Sequence, residues 1–175
     1  MHPRPAAHLG FTIIELLIVL AIGAILAVIA VPSMQNMLNS TRQSSAVGLL
    51  VGDMNQARAE AIKRNARMLV CARNAAGTDC ENVTDWRVGW VVCGEDPTTA
   101  NTCAAGTAAN PNPVVVRPPL DGQLTLTSSD AVMRFNSNSS QGAGAGIVTL
   151  TLGGIWSGAP TRTLLVAPTG SITKQ

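Results

Sequence analysis

The residues able to do chemistry in this chain are few, and they are oddly placed. Glu15 stands just before the unbroken apolar run Leu16 to Val31. A carboxylate inside a membrane helix costs roughly 2.5–3.5 kcal/mol on insertion scales, so it asks for a positive partner or a pathway. Four cysteines, Cys71, Cys80, Cys93 and Cys103, lie beyond that run, where an oxidising compartment is expected, and an even number there favours disulfides. Sequence leaves three pairings open. We expect Cys71 with Cys80 and Cys93 with Cys103, because each pair closes a short loop at the end of a predicted strand. Zinc is the rival use of these thiols, but no CxxC spacing occurs. Both histidines, His2 and His8, precede Gly10, so the chain after Gly10 lacks the usual general base and the commonest metal ligand. Asp79, Glu81 and Asp85 are loop acids with no base beside them. The run Gly142 to Gly146 lacks the lysine and hydroxyl of a phosphate loop. No catalytic constellation emerges, so an enzyme is not expected, and no cofactor or metal is implied.

The elements that must position these residues follow from periodicity. Met1 to Gly10 carries Arg4 but no apolar core of its own, unlike a secretory signal. Phe11 to Val31 is 21 residues, about 31 Å as a helix, enough for the roughly 30 Å of bilayer hydrocarbon. Arg4 favours a cytoplasmic N-terminus and sends the rest outward. Pro32 ends the run, removes one backbone donor and is expected to kink the helix. Residues 33–67 read as an amphipathic helix with Val47, Leu50, Met54, Ala57 and Ala61 on one face and Arg42, Gln43, Gln56, Glu60, Lys63, Arg64 and Arg67 on the other. Gly48 and Gly52 each weaken its interior and leave room for a break or bend between Ser40 and Gly52, but the whole reads as one long helix from about Thr12, half membrane and half docked on the domain. Residues 68–175 read as short strands, Met68–Ala72, Arg87–Cys93, Val114–Arg117, Gln123–Thr127, Ala131–Phe135, Ile147–Leu152 and Arg162–Ala167, separated by turn-rich segments. One helix and then a run of strands predicts an α+β domain whose antiparallel sheet packs on the helix stripe. The net charge of +2 is too small to imply a nucleic-acid partner by itself. Trp86, Trp90 and Trp156 are expected to pack inside a domain so poor in aromatics, rather than to form an exposed platform.

Gly10, Phe11, Thr12 and Glu15 resemble the type IV prepilins and related pseudopilins, whose leader ends in glycine before a phenylalanine, a threonine and a glutamate with this spacing. The resemblance implies cleavage after Gly10 by a prepilin peptidase and N-methylation of Phe11. It also implies that Glu15 pairs with the N-terminal amine of a neighbouring subunit as the filament grows. The chain would be a single-pass inner-membrane protein, its domain periplasmic, entering a filament through the membrane assembly platform and other major and minor pilins or pseudopilins. The stretch Gln56 to Asn65, the strand ending at Cys71 and Trp86 to Val92 resemble the GspH/FimT group, whose members occur in low copy at the filament tip or in the complex that primes assembly. The resemblance leaves three functions open: a type IV pilus minor pilin, which the cysteine loops favour, a type II secretion pseudopilin, or a DNA-binding subunit for DNA uptake. Some members bind DNA through a C-terminal glycine-arginine-x-arginine motif. Here the end reads Gly170-Ser171-Ile172-Thr173-Lys174, without either arginine, so Arg162 and Lys174 alone make a weak phosphate site. The basic cluster Arg58, Lys63, Arg64 and Arg67 is expected to be a solvated helix face.

Overall fold

A computed structural model describes residues 11–107, 111–138, 140–141 and 146–175. Gly10 and most of the glycine-rich run at 142–146 lie outside them. The chain divides into two compact units, Met1–Leu38 and Asn39–Gln175.

One helix, α1, spans Ile13–Arg64. Thr12 caps its start, accepting the Glu15 backbone N–H on Oγ1 at 3.2 Å and so satisfying one of the orphan donors of the first turn. Its end is equally defined. Asn65 takes the left-handed conformation (φ 47°) and donates to Ile62 O, while Ala66 donates to Ala61 O, a Schellman closure that asparagine tolerates better than most residues. The helix therefore stops at Arg64, three residues before the expected boundary. It is the one long helix expected: it continues through Pro32, and the break that the glycines left room for between Ser40 and Gly52 does not occur. The two glycines cost about 1 kcal/mol each at most. Full burial of Leu50 and Met54 beside them returns about 1.5–3 kcal/mol per side chain, so packing outweighs propensity.

In the first unit every described side chain is exposed. Its helical part is long and apolar enough to cross a membrane. In the second unit Ala46, Val47, Leu50, Met54, Ala57 and Ala61 form the buried stripe of α1. The strands form not one sheet but two, each antiparallel and four-stranded. The first has the order β3 (Val115–Val116), β2 (Trp90–Gly94), β1 (Met68–Ala72), β5 (Val132–Phe135). The second has the order β4 (Leu124–Ser128), β6 (Val148–Gly154), β7 (Arg162–Val166), β8 (Ile172–Lys174). The segment before β2 links them, for Trp86 donates to Leu126 O and Ser128 donates to Thr84 O.

Strand β1 is buried along its whole length, which the period of two explains. Met68, Val70 and Ala72 join the large core with the helix stripe, Trp90, Val92, Met133 and Phe135. Leu69 and Cys71 point to the other face and form a smaller core with Cys80, Val91 and Cys93, against which Cys103 and Val132 pack. The cover over that second face comes from the two loops that leave β1 and β2.

Candidate functional site

The side chains with the most chemical interest fall into three groups: the head of α1, the polar anchors of the domain, and the sulfur cluster. At the head of α1, Phe11 is 76 % exposed and Glu15 is exposed. Among the described residues no cation pairs with the Glu15 carboxylate. Thr12 was not assigned as a cap from the sequence, although a threonine three residues before a glutamate has the spacing of a capping box. The exposed apolar surface continues past Pro32 to Met34, Met37 and Leu38.

The polar anchors were missed by sequence reading. Gln43, assigned to the solvent side of α1, is fully buried. Its Nε2 donates to Leu152 O at 3.1 Å and Pro160 O at 2.6 Å, and its Oε1 accepts from Arg162 Nε at 3.4 Å. Asp53 is also buried. Its carboxylate accepts from Arg117 Nε at 2.8 Å, Arg117 Nη2 at 2.7 Å and Trp90 Nε1 at 2.9 Å. Those hydrogen bonds raise the Arg117 guanidinium above its ordinary value, with desolvation opposing and the carboxylate charge adding. Spacing held the signal for both: Gln43 lies four residues before Val47, and Asp53 lies three after Leu50 and four before Ala57, so both sit on the apolar stripe.

Glu95 is the third anchor. Its side chain is 1 % exposed, gripped by Arg134 through Nε (3.0 and 2.9 Å) and Nη2 (2.7 Å), with Arg67 Nε at 3.1 Å and the Asn101 amide at 3.2 Å. Burial pushes its carboxyl up, but the Arg134 hydrogen bonds, the Asn101 amide and the charges of Arg134 and Arg67 together hold it below the ordinary carboxylate value. Three members of the basic cluster are ion-paired: Lys63 and Arg64 share Glu60, at 3.1 and 2.6 Å, and Arg67, beyond the end of α1, meets Glu95, while Lys63 and Arg67 stay largely exposed. Asp85, taken as a loop acid without a base, pairs with Arg87 at 2.6 Å.

Disulfides join Cys71 to Cys80 and Cys93 to Cys103. The bridges are neighbours, because the sulfurs of Cys80, Cys93 and Cys103 all lie within 4.8 Å of one another. One Asp79 oxygen, Oδ1, accepts the backbone N–H of both Cys80 and Cys103, each at 2.7 Å. Trp86 and Trp90 are buried, and Trp156 packs against the core. Of the two candidate phosphate contacts, Lys174 is exposed on the edge strand β8, while Arg162 is half-buried and turned toward Gln43.

The family model described as Type II transport protein GspH matches residues 46–170, which takes in most of the domain just described. The chain belongs to the GspH family. A second model, the prokaryotic N-terminal methylation motif, matches residues 6–31 of this GspH family member and spans Phe11, Thr12 and Glu15. No curated protein matches. The crystal structure of the type IV minor pilin FimU of Pseudomonas aeruginosa strain PAO1, in space group P21, is similar in fold, with a TM-score of 0.59 at 17 % identity over 77 % of this chain and 89 % of FimU. A second crystal form of FimU, in space group P65, is matched at a TM-score of 0.47 and 19 % identity, over 75 % of this chain and 91 % of that one. The GspH family member is thus a minor pilin or pseudopilin with the α+β pilin fold, from a family of structural components.

Proposed function

We propose that this GspH family member is a type IV pilus minor pilin of the tip or priming complex, anchored in the inner membrane with its N-terminus cytoplasmic and its domain periplasmic until assembly. In this reading a prepilin peptidase cuts after Gly10, Phe11 becomes the N-methylated terminus, and Glu15 pairs with the terminal amine of a neighbouring pilin. The proposed boundaries are a leader at 1–10, an apolar core helix at 11–32 with a kink at Pro32, an amphipathic helix that runs from 33 and closes at Arg64 rather than at 67, and the domain at 68–175. The observation that carries the proposal is the head of α1: an exposed apolar surface with one carboxylate that has no partner cation among the described residues. Such a segment is stable only in an apolar surrounding that also brings a positive charge, and a second subunit's amine within a filament supplies both.

The choice of the pilus rests on the two disulfide-closed loops. A filament that leaves the envelope bears load and meets proteases, and covalently closed loops resist both. The name of the matched family favours a second reading, a pseudopilin of type II secretion. A deletion strain assayed for pilus-dependent motility beside export of secreted hydrolases, with plasmid complementation, separates the two. Loss of motility with normal export is the expected result, and the reverse would move the chain to the secretion pseudopilus.

A further inference from the structure

The two disulfides are placed to exchange with each other. Their bridges do not lie at opposite ends of the domain, where each would act alone. Cys93 opposes Leu69 in the β1–β2 ladder and Cys71 opposes Val91, so both strands project their cysteines to the same face, two positions apart. The loops then fold back over that face and bring Cys80 Sγ within 4.8 Å of both Cys93 Sγ and Cys103 Sγ. Asp79 Oδ1 ties the backbones of Cys80 and Cys103 to a single acceptor, which keeps the two loop ends adjacent. Access is graded across the cluster. Cys71 and Cys93 are fully buried, Cys80 is 8 % exposed, and Cys103 is the one of the four cysteines that is half-buried rather than buried.

We propose that Cys103 is the entry point of a disulfide relay in which reduction of the outer bridge re-pairs the inner cysteines as Cys80–Cys93. The thiolate of a dithiol reductant attacks Cys103 Sγ, forming a mixed disulfide and releasing the Cys93 thiolate. The second thiol of the reductant resolves the mixed disulfide, so the reductant leaves oxidised and Cys103 leaves as a thiol. The Cys93 thiolate attacks Cys80 Sγ, the Cys80–Cys93 bond forms, and the Cys71–Cys80 bond breaks. Cys71 departs as a thiolate and takes a proton from water. Attack of this kind needs only a thiolate within reach of a disulfide sulfur. The product joins the β2 strand directly to the end of the 72–80 loop and frees the 94–103 loop, which carries Glu95 and Asn101, from its covalent closure.

Mapping the cysteines of the full chain in detergent tests this. The native protein is treated with a single molar equivalent of dithiothreitol, quenched in acid with a thiol alkylator, and digested with cleavage after Glu95 so that Cys93 and Cys103 fall in different peptides. The expected product carries alkylated Cys71 and Cys103 and a Cys80–Cys93 bond. Alkylation confined to the pair Cys93 and Cys103, or to the pair Cys71 and Cys80, with the other bridge native, would overturn the relay. A second arm needs no reductant. In Cys71→Ser the free Cys80 thiol should migrate, leaving a bond from Cys80 to Cys93 or Cys103 and a free thiol at the other. An intact Cys93–Cys103 bridge beside a free Cys80, in a variant whose far-ultraviolet circular dichroism is native, would overturn it as well.

Discussion

At the residue scale the domain depends on three buried polar side chains, Gln43 and Asp53 on the apolar stripe of α1 and Glu95 just after β2. Asp53 is the most exacting, since three donors converge on one carboxylate. Replacing it with alanine strands Arg117 and the Trp90 indole, and stranding a buried ionic partner costs about 3–5 kcal/mol. The Arg117 side chain remains 34 % exposed, so we expect about 3 kcal/mol, read as a lowered urea midpoint of the full chain in detergent. A loss below about 1 kcal/mol would mean that water replaces the carboxylate without penalty. Glu95 makes a pH-dependent prediction. Its folded value lies below the ordinary 4.5, so its charged form stabilises the fold above that pH, and the contribution is lost as the pH falls through the depressed value. Glu95→Gln should therefore lower the melting temperature at neutral pH and flatten its decline in acid. A wild-type decline of the same steepness in the variant would assign the acid sensitivity elsewhere.

At the element scale, the strands were largely readable because short β-branched and leucine-rich runs between Gly, Pro and Asn clusters leave few alternatives. Seven of the eight strands lie within or overlap the segments expected for them, and β8 (Ile172–Lys174) was missed because a three-residue strand ending in lysine has no period to detect. The buried face of α1 was legible in its apolar members and not in Gln43 or Asp53, because polarity at those positions was taken for exposure. The division into two sheets was not legible at all, since it depends on β5 pairing with β1 while β4 pairs with β6 rather than on any local pattern. Gly89, just before β2, shows how tight the packing is there. It has a φ of +91°, and a Cβ there would lie 2.3 Å from Arg117 O and 2.6 Å from Pro118 O. Gly89→Ala is expected to displace the 117–118 segment and with it the Asp53–Arg117 pair. Substantial loss of the near-ultraviolet tryptophan signal would register this, and an unchanged spectrum and stability would show that the segment gives way freely.

At the scale of the whole molecule the head of α1 and the domain serve different ends, and mutations should separate them. Glu15→Ala is expected to be cleaved at Gly10 as in wild type and to keep its domain folded, yet to enter filaments poorly; sheared filaments and membrane fractions, blotted side by side, measure this. Wild-type incorporation would count against the pairing role. Replacing Gly10 with a bulky residue should instead leave the leader attached, visible as a slower-migrating band. The covalent loops act on the other part. A loop of nine or ten positions lowers denatured-chain entropy enough to stabilise the fold by about 2.5–3 kcal/mol per bridge in the chain-entropy picture. Full reduction should cut domain stability by about twice that while leaving leader cleavage unaffected.

No charged residue stands between Glu15 and Arg42. At about 1.5 Å of rise per residue that interval is roughly 40 Å of helix, against about 30 Å of bilayer hydrocarbon. The difference is slack, close to two turns of axial travel during which no ion has to cross the hydrocarbon boundary. A subunit held in a bilayer by such a helix would bob or tilt at little electrostatic cost, and in the proposed assembly the charge of Glu15 would resist withdrawal only after that slack is used.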